Sequence, residues 1–204
     1  MTDPPLSSER AARRRAILDS AIQTFAEHGF FASRTRDIAA GAGVAEGTIY
    51  LYFESKDDLL LTAFRDMVRE FSDSVRDLLE PVLPFQERLT RFIERQFRGI
   101  EEEPALATVM LMETRQSSKF YGQPVRDVLR AYATAVDALL RSGIEQGEVR
   151  ADLDVPLARR ILVGTLEEVE LDWLLGDRAR PLSPAAPQVA AALFRGFARD
   201  PGNG

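Results

Sequence analysis

The chain has 204 residues, 45% hydrophobic and 28% charged, with a formal net charge of −6. This is an ordinary globular composition, and no apolar run approaches the roughly 20 residues that span a bilayer. The absence of cysteine excludes disulfides and thiolate chemistry, and a single histidine, His28, excludes a His/Cys metal site.

The opening stretch, "MTDPPLSSERAARRR", has no apolar core, so no secretory leader is expected and a reducing cytoplasm is the expected compartment. Ile17, Ala21 and Phe25, flanked by Leu18 and Ile22, recur at i, i+4 and predict a helix over 9–28. His28 and Gly29 read as its end, a cation beside the last carbonyls and a left-handed cap. Thr35 is a good N-cap for a short helix that stops at Gly43, and a third helix follows over about 46–52. Ser55, with Asp58 three positions on, opens a long helix that Pro81 and Pro84 close. Further helices are expected over 85–102, 104–117, 123–146, 155–176 and about 184–199. Gly147 stops one of them, and Asp154 with Pro156 starts the next. No segment alternates long enough for a strand, so the fold class is all-α. Two domains are expected, 1–54 and 55–204.

The charge is unevenly placed. Residues 1–56 hold seven basic and seven acidic side chains, so the whole −6 comes from the rest. A neutral head with an arginine cluster (Arg10, Arg13, Arg14 and Arg15) on an acidic body is compatible with a nucleic-acid site in the head alone.

Residues 35–54, "TRDIAAGAGVAEGTIYLYFE", carry the functional signal. Two short helices joined by a tight turn need a small residue where they touch, here Ala39, and a residue that accepts positive φ, here Gly43. Ile38, Val44, Ile49 and Phe53 are spaced to lock the pair onto the preceding helix. This is a helix-turn-helix pattern. Ile49 and Phe53 face the core, which turns Thr48, Leu51 and Tyr52 outward with Tyr50 at the margin. On that face Thr48 and Leu51 suit base edges and thymine methyls, and the tyrosine hydroxyls suit phosphates. The Gly47 amide and Lys56 extend the phosphate contacts. Glu46 is the exception, because a carboxylate there repels phosphate unless it bonds back to the protein.

"TRDIAAGAGVAEGTIYLYFESKDDLL", with "AILDSAIQTFAEHGF" before it, resembles the DNA-binding segment of the TetR (tetracycline repressor) family of bacterial regulators, over roughly residues 10–64. The resemblance implies a three-helix DNA-binding head and a helical body that binds a small-molecule effector and needs no cofactor. It also implies a homodimer formed through the last two helices, near 155–176 and 184–199, on a near-palindromic double-stranded operator. By position, the family's DNA contacts fall on Thr35, Ala45, Gly47, Thr48, Tyr50, Leu51, Tyr52 and Lys56, while Glu46 stands where a basic residue is frequent.

The body is less specific. "ALATVMLMETRQS" supplies Met110 and Met112, and Phe120 and Trp173 lie further on, an adaptable apolar set that suits a flexible ligand and equally suits plain core packing. Leu162, Leu166, Val169 and Trp173 make an apolar stripe expected at the dimer interface, with Glu167, Glu168 and Glu170 at its rim or paired with arginines. "METRQSSKF", "GIEQGEVRADLD" and "GTLEEVELDWLL" resemble the TetR-type repressors of fatty acid degradation, which respond to long-chain acyl-coenzyme A. That resemblance implies an elongated apolar tunnel with basic residues at its mouth, for which Arg115, Arg126 and Arg130 are candidates. Two readings stay open: a regulator responding to another metabolite or drug, and a helical enzyme or lipid carrier without DNA function.

Overall fold

The structure, a computed structural model, describes residues 8–80, 82–116 and 123–199. Phe120, Pro81 and the side chain of Arg115 lie outside the described residues. Among those described, the chain is all-α. Its helices are α1 (Ser8–His28), α2 (Thr35–Gly41), α3 (Glu46–Ile49), α4 (Lys56–Ser74), α5 (Phe85–Glu102), α6 (Pro104–Gln116), α7 (Gln123–Glu145), α8 (Val155–Leu175) and α9 (Ala186–Phe197). Short 3₁₀ turns at Arg76–Leu79 and Ser183–Ala185 interrupt the sequence of helices. One isolated antiparallel bridge, Val149 to Ala198, is the nearest approach to sheet among the described residues. No described helix is long and apolar enough to cross a membrane.

The chain forms two compact units. One contains α1 to α3, α4 as far as Asp66, and α6 from Ala105; the other contains the remainder. α4 runs from one unit into the other, and α6 is grouped with the head.

In the first unit the α1 stripe does what its period predicts. Ile17, Leu18, Ala21, Ile22 and Phe25 are buried, as are Ile38 and Ala39 of α2, Ile49 of α3, and Phe53. The cap at its end also holds: the His28 Nδ1 lies 3.2 Å from the Thr24 carbonyl oxygen, and Gly29 adopts φ 76°. Gly43 follows α2 at φ 66°, the conformation its turn requires. Gly41 has a different constraint: a Cβ there would stand 2.4 Å from the Ser20 hydroxyl oxygen, which itself donates to the Ile38 carbonyl at 2.8 Å. The N-cap of α2 is Arg34, with no side-chain bond, rather than Thr35, whose hydroxyl is engaged elsewhere. At α4, Ser55 Oγ accepts from the Asp58 amide at 3.1 Å and the Asp58 carboxylate accepts from the Glu54 amide at 3.1 Å, a capping box displaced by one residue.

The second unit is built around α5. Phe85, Leu89, Phe92, Ile93 and Phe97 are wholly buried, and α5 packs chiefly on α9. Arg88 is buried with them, at 1% exposure. Its guanidinium donates to the carbonyls of Leu83 (3.0 Å) and Leu78 (3.1 Å), to Ser142 Oγ (2.7 Å) and to Gln146 Oε1, so nearly every N–H has a partner. Asp154 caps α8 by accepting from the Leu157 amide at 3.0 Å.

Two expectations about α8 are corrected. Leu162 and Leu166 point into their own unit at 0% exposure, and the outward apolar positions are Leu157 and Ile161, at 50% and 48%. Both registers are apolar in sequence, so the period alone does not say which faces inward. Glu170 is neither at a rim nor paired with arginine. It is 2% exposed and accepts from Gln96 Nε2 at 2.6 Å.

Candidate nucleic-acid interface

The helix expected over 46–52 is shorter. α3 is helical only over Glu46–Ile49, after which single turns carry the chain on, with the Leu51, Tyr52 and Phe53 amides bonding back to Thr48 and Ile49 carbonyls at 3.0–3.1 Å. The aromatic, β-branched run resists a regular helix, and the buried pair Ile49 and Phe53 (0% and 2% exposed) anchors the turns instead.

The spacing places Tyr50 at the margin of an outward face of Thr48, Leu51 and Tyr52, whereas in the structure Tyr50 and Leu51 are the exposed pair. Tyr50 is 54% and Leu51 72% exposed, large apolar surface with no covering element in its unit. Ala45 and Gly47 are exposed, and Thr35, Thr48 and Tyr52 are half-buried. A Cβ at Gly47 would meet nothing within 4 Å.

Two arginines that the spacing argument did not single out join this surface. The Arg10 guanidinium lies 5.8 Å from the centre of the Tyr52 ring, and that of Arg14 5.1 Å from Phe53. The cue was their clustering on α1, but the i, i+4 pattern does not say which rings they cover. Nearby ion pairs, Arg15 with Asp19 at 2.7 Å and Arg36 with Asp37 at 3.4 Å, are solvent-exposed and weakly stabilising.

Two of the predicted contact residues have partners within the protein. Lys56 Nζ donates to the carbonyls of Phe30 (2.6 Å), Phe31 (3.3 Å) and Ser33 (3.0 Å) and sits 4.5 Å from the Phe30 ring centre, so it closes the loop between α1 and α2. Thr35 Oγ1 donates to Glu46 Oε1 at 2.5 Å, which accounts for the carboxylate that looked out of place.

In the first unit, Met110 and Met112 are half-buried on α6. In the second, Arg126 and Arg130 are exposed on α7, where Arg130 pairs with Asp127 at 3.1 Å. Trp173 is half-buried, its indole N–H donating to the Arg180 carbonyl at 2.7 Å. Sequence reasoning missed a polar relay inside this unit: Tyr132 Oη donates to Gln96 Oε1 at 2.6 Å, and Gln96 passes a bond to Glu170. Burial pushes the Glu170 carboxyl up to about 8, the Gln96 bond opposes the shift, and the nearby Glu167 charge adds to it. Burial, with the Glu170 charge adding to it, also pushes the Tyr132 phenol well above its usual range. A cleft of about 210 Å³ lies between α8 and α9, walled by Leu157, Ile161, Leu193 and Phe197 with Arg150 at its edge.

All-helical among the described residues, with a head that presents a short helix and an exposed aromatic turn beside stacked arginines, the chain has the form of a helix-turn-helix regulator. Comparison with known proteins agrees: residues 17–63 match the bacterial regulatory proteins of the tetR family, and residues 64–196 match the C-terminal region of YsiA-like proteins. The chain belongs to the TetR family of bacterial transcriptional regulators, and it is a regulator rather than an enzyme.

Within that family it is similar to the fatty acid metabolism regulator protein of Bacillus subtilis, with 33% identity over 89% of this chain and 93% of that one. It is also similar to two solved structures. The fatty acid degradation regulator FadR of Bacillus halodurans has 34% identity, a TM-score of 0.82, and coverage of 90% of this chain and 98% of that one. FadR of Bacillus subtilis in complex with stearoyl-CoA has 33% identity, a TM-score of 0.83 and the same coverage.

Proposed function

We propose that the chain is a cytoplasmic, homodimeric repressor of fatty acid degradation genes, released from a near-palindromic operator by long-chain acyl-coenzyme A. The observation that carries the DNA-binding part is the outward face of Tyr50 and Leu51 over the buried Ile49 and Phe53. In this reading residues 1–54 read DNA and 55–204 bind ligand and dimerise. Thr48 and Leu51 meet base edges; Ala45, Gly47, Tyr50 and Tyr52 meet the sugar-phosphate backbone. Lys56 adds positive charge while fixing the loop behind them. The effector assignment is supported by similarity to a regulator solved with stearoyl-CoA. Within the second unit, Trp173 would meet the acyl chain, with Arg126 and Arg130 toward the coenzyme A phosphates.

For the dimer we propose the outer faces of α8 and α9. Leu157 and Ile161 supply exposed apolar area, and Gly164 and Gly196, where a Cβ would meet nothing within 4 Å, leave room for close approach. Two heads so joined would read half-sites about one helical turn, roughly 34–36 Å, apart. A ligand shifts an equilibrium only by its differential affinity, so the acyl-coenzyme A form must hold a head spacing that the operator rejects. α4, which belongs to both units, is the element through which the body would act on the head.

A mobility shift tests both parts. The protein should bind a pool of its upstream DNA with strong salt dependence, and palmitoyl-coenzyme A should release it. A second reading follows from similarity to the ketosteroid transcriptional regulator KstR2 of Mycobacterium tuberculosis, at 26% identity and a TM-score of 0.74. Release by a steroid-derived ligand, with indifference to palmitoyl-coenzyme A, would favour it.

A further inference from the structure

Glu46 is an exposed carboxylate on the proposed DNA face, held by Thr35 Oγ1 at 2.5 Å across the turn between α2 and α3. Among the described residues no lysine or arginine pairs with it. A carboxylate only accepts hydrogen bonds, and toward a phosphate backbone it is repelled. In the major groove the groups that donate are the exocyclic amines, N4 of cytosine and N6 of adenine; N7, O6 and O4 all accept. Adenine N6 sits beside the N7 lone pair, which repels a carboxylate, whereas cytosine N4 has only a C–H beside it. The Thr35 bond fixes one carboxylate oxygen before DNA arrives and leaves the other to accept. Ala45 and Gly47, on either side, are too short to compete for the same base edge.

We infer that Glu46 is a specificity-determining residue that selects cytosine at one position of each half-site, with Thr35 as its positioning residue. This rests on the DNA-binding reading above. It makes the carboxylate a filter: sequences offering an acceptor at that position are rejected, and only those offering an amine are tolerated.

The test is selection from a random duplex pool, followed by affinity measurements on single-base variants, with wild type, Glu46→Ala, Glu46→Gln and Thr35→Val. Circular dichroism and sedimentation check that each variant is folded and in the wild-type oligomeric state. Wild type should enrich cytosine at one symmetrically repeated position, where replacement weakens binding by roughly 5- to 150-fold. Glu46→Ala should reduce that penalty to below about 3-fold while the rest of the motif persists. Glu46→Gln should move the preference to adenine, whose N6 and N7 match an amide. Thr35→Val should fall between wild type and Glu46→Ala. If Glu46→Ala keeps the same motif, or tightens all sequences by one factor, the inference is overturned while DNA binding stands. If wild type enriches no sequence, the DNA-binding reading falls as well.

Discussion

The two units handle polar groups in opposite ways. In the head, Ser20, Ser33 and Lys56 reach from half-buried or buried positions near the surface to backbone carbonyls, and the core behind them is almost purely apolar. In the other unit, a whole guanidinium and a whole carboxyl sit inside, Arg88 at 1% and Glu170 at 2% exposure. The head's polar bonds fix loops, so the outward face of Tyr50 and Leu51 rests on a rigid base. The body's buried polar groups have partners, yet each would be costly to strand, which gives that unit a sensitivity to rearrangement and pH.

Arg88 is where loss of a buried polar group should cost the second unit most. Arg88→Ala removes the donor to four acceptors and leaves a cavity, so it should lower unfolding stability by roughly 3–5 kcal/mol in urea titrations. A loss under about 1 kcal/mol would mean that water replaces those bonds freely.

Glu170 comes next. Its carboxyl titrates near 8 in the fold against an ordinary 4.5, so the fold binds the proton more tightly than the unfolded chain does. The associated stability is full below 4.5 and is lost as pH rises toward 8. The slope should reach at most about 1.4 kcal/mol per pH unit. Glu170→Gln should flatten that part of the melting-temperature profile, while a slope unchanged by the substitution would assign it to another group.

Lys56→Met should cost the head about 1–2 kcal/mol through its loop carbonyls, with α5 and α7 to α9 unaffected in hydrogen exchange. Gly43→Ala, at φ 66° with nothing within 4 Å of the added Cβ, should cost about 1–2 kcal/mol from backbone strain alone.

Much of this was legible in the sequence. The α1 stripe, the positive φ at Gly43 and the Asp154 cap each follow from a local rule, and local rules are what one sequence exposes. What stayed hidden depends on tertiary partners. Glu170 follows Glu167 and Glu168 and reads as a solvated face; only the approach of Gln96 from another helix turns it inward. Lys56 reads as a phosphate ligand until the carbonyls of residues 30–33 are seen to converge on it. The two apolar registers of α8 are indistinguishable by period, and which one is buried is set by the neighbouring helices. Thr35 looks like a cap because its competing partner, Glu46, lies eleven residues further on.

The double variant Tyr50→Ala, Leu51→Ala strips the exposed turn after α3 of the surface proposed to meet DNA. Both side chains are more than half exposed, so melting temperature should hold. Fluorescence anisotropy with a selected operator should then show affinity weakened by about tenfold or more. Undiminished affinity in a folded dimer would mean that Tyr50 and Leu51 do not touch the DNA.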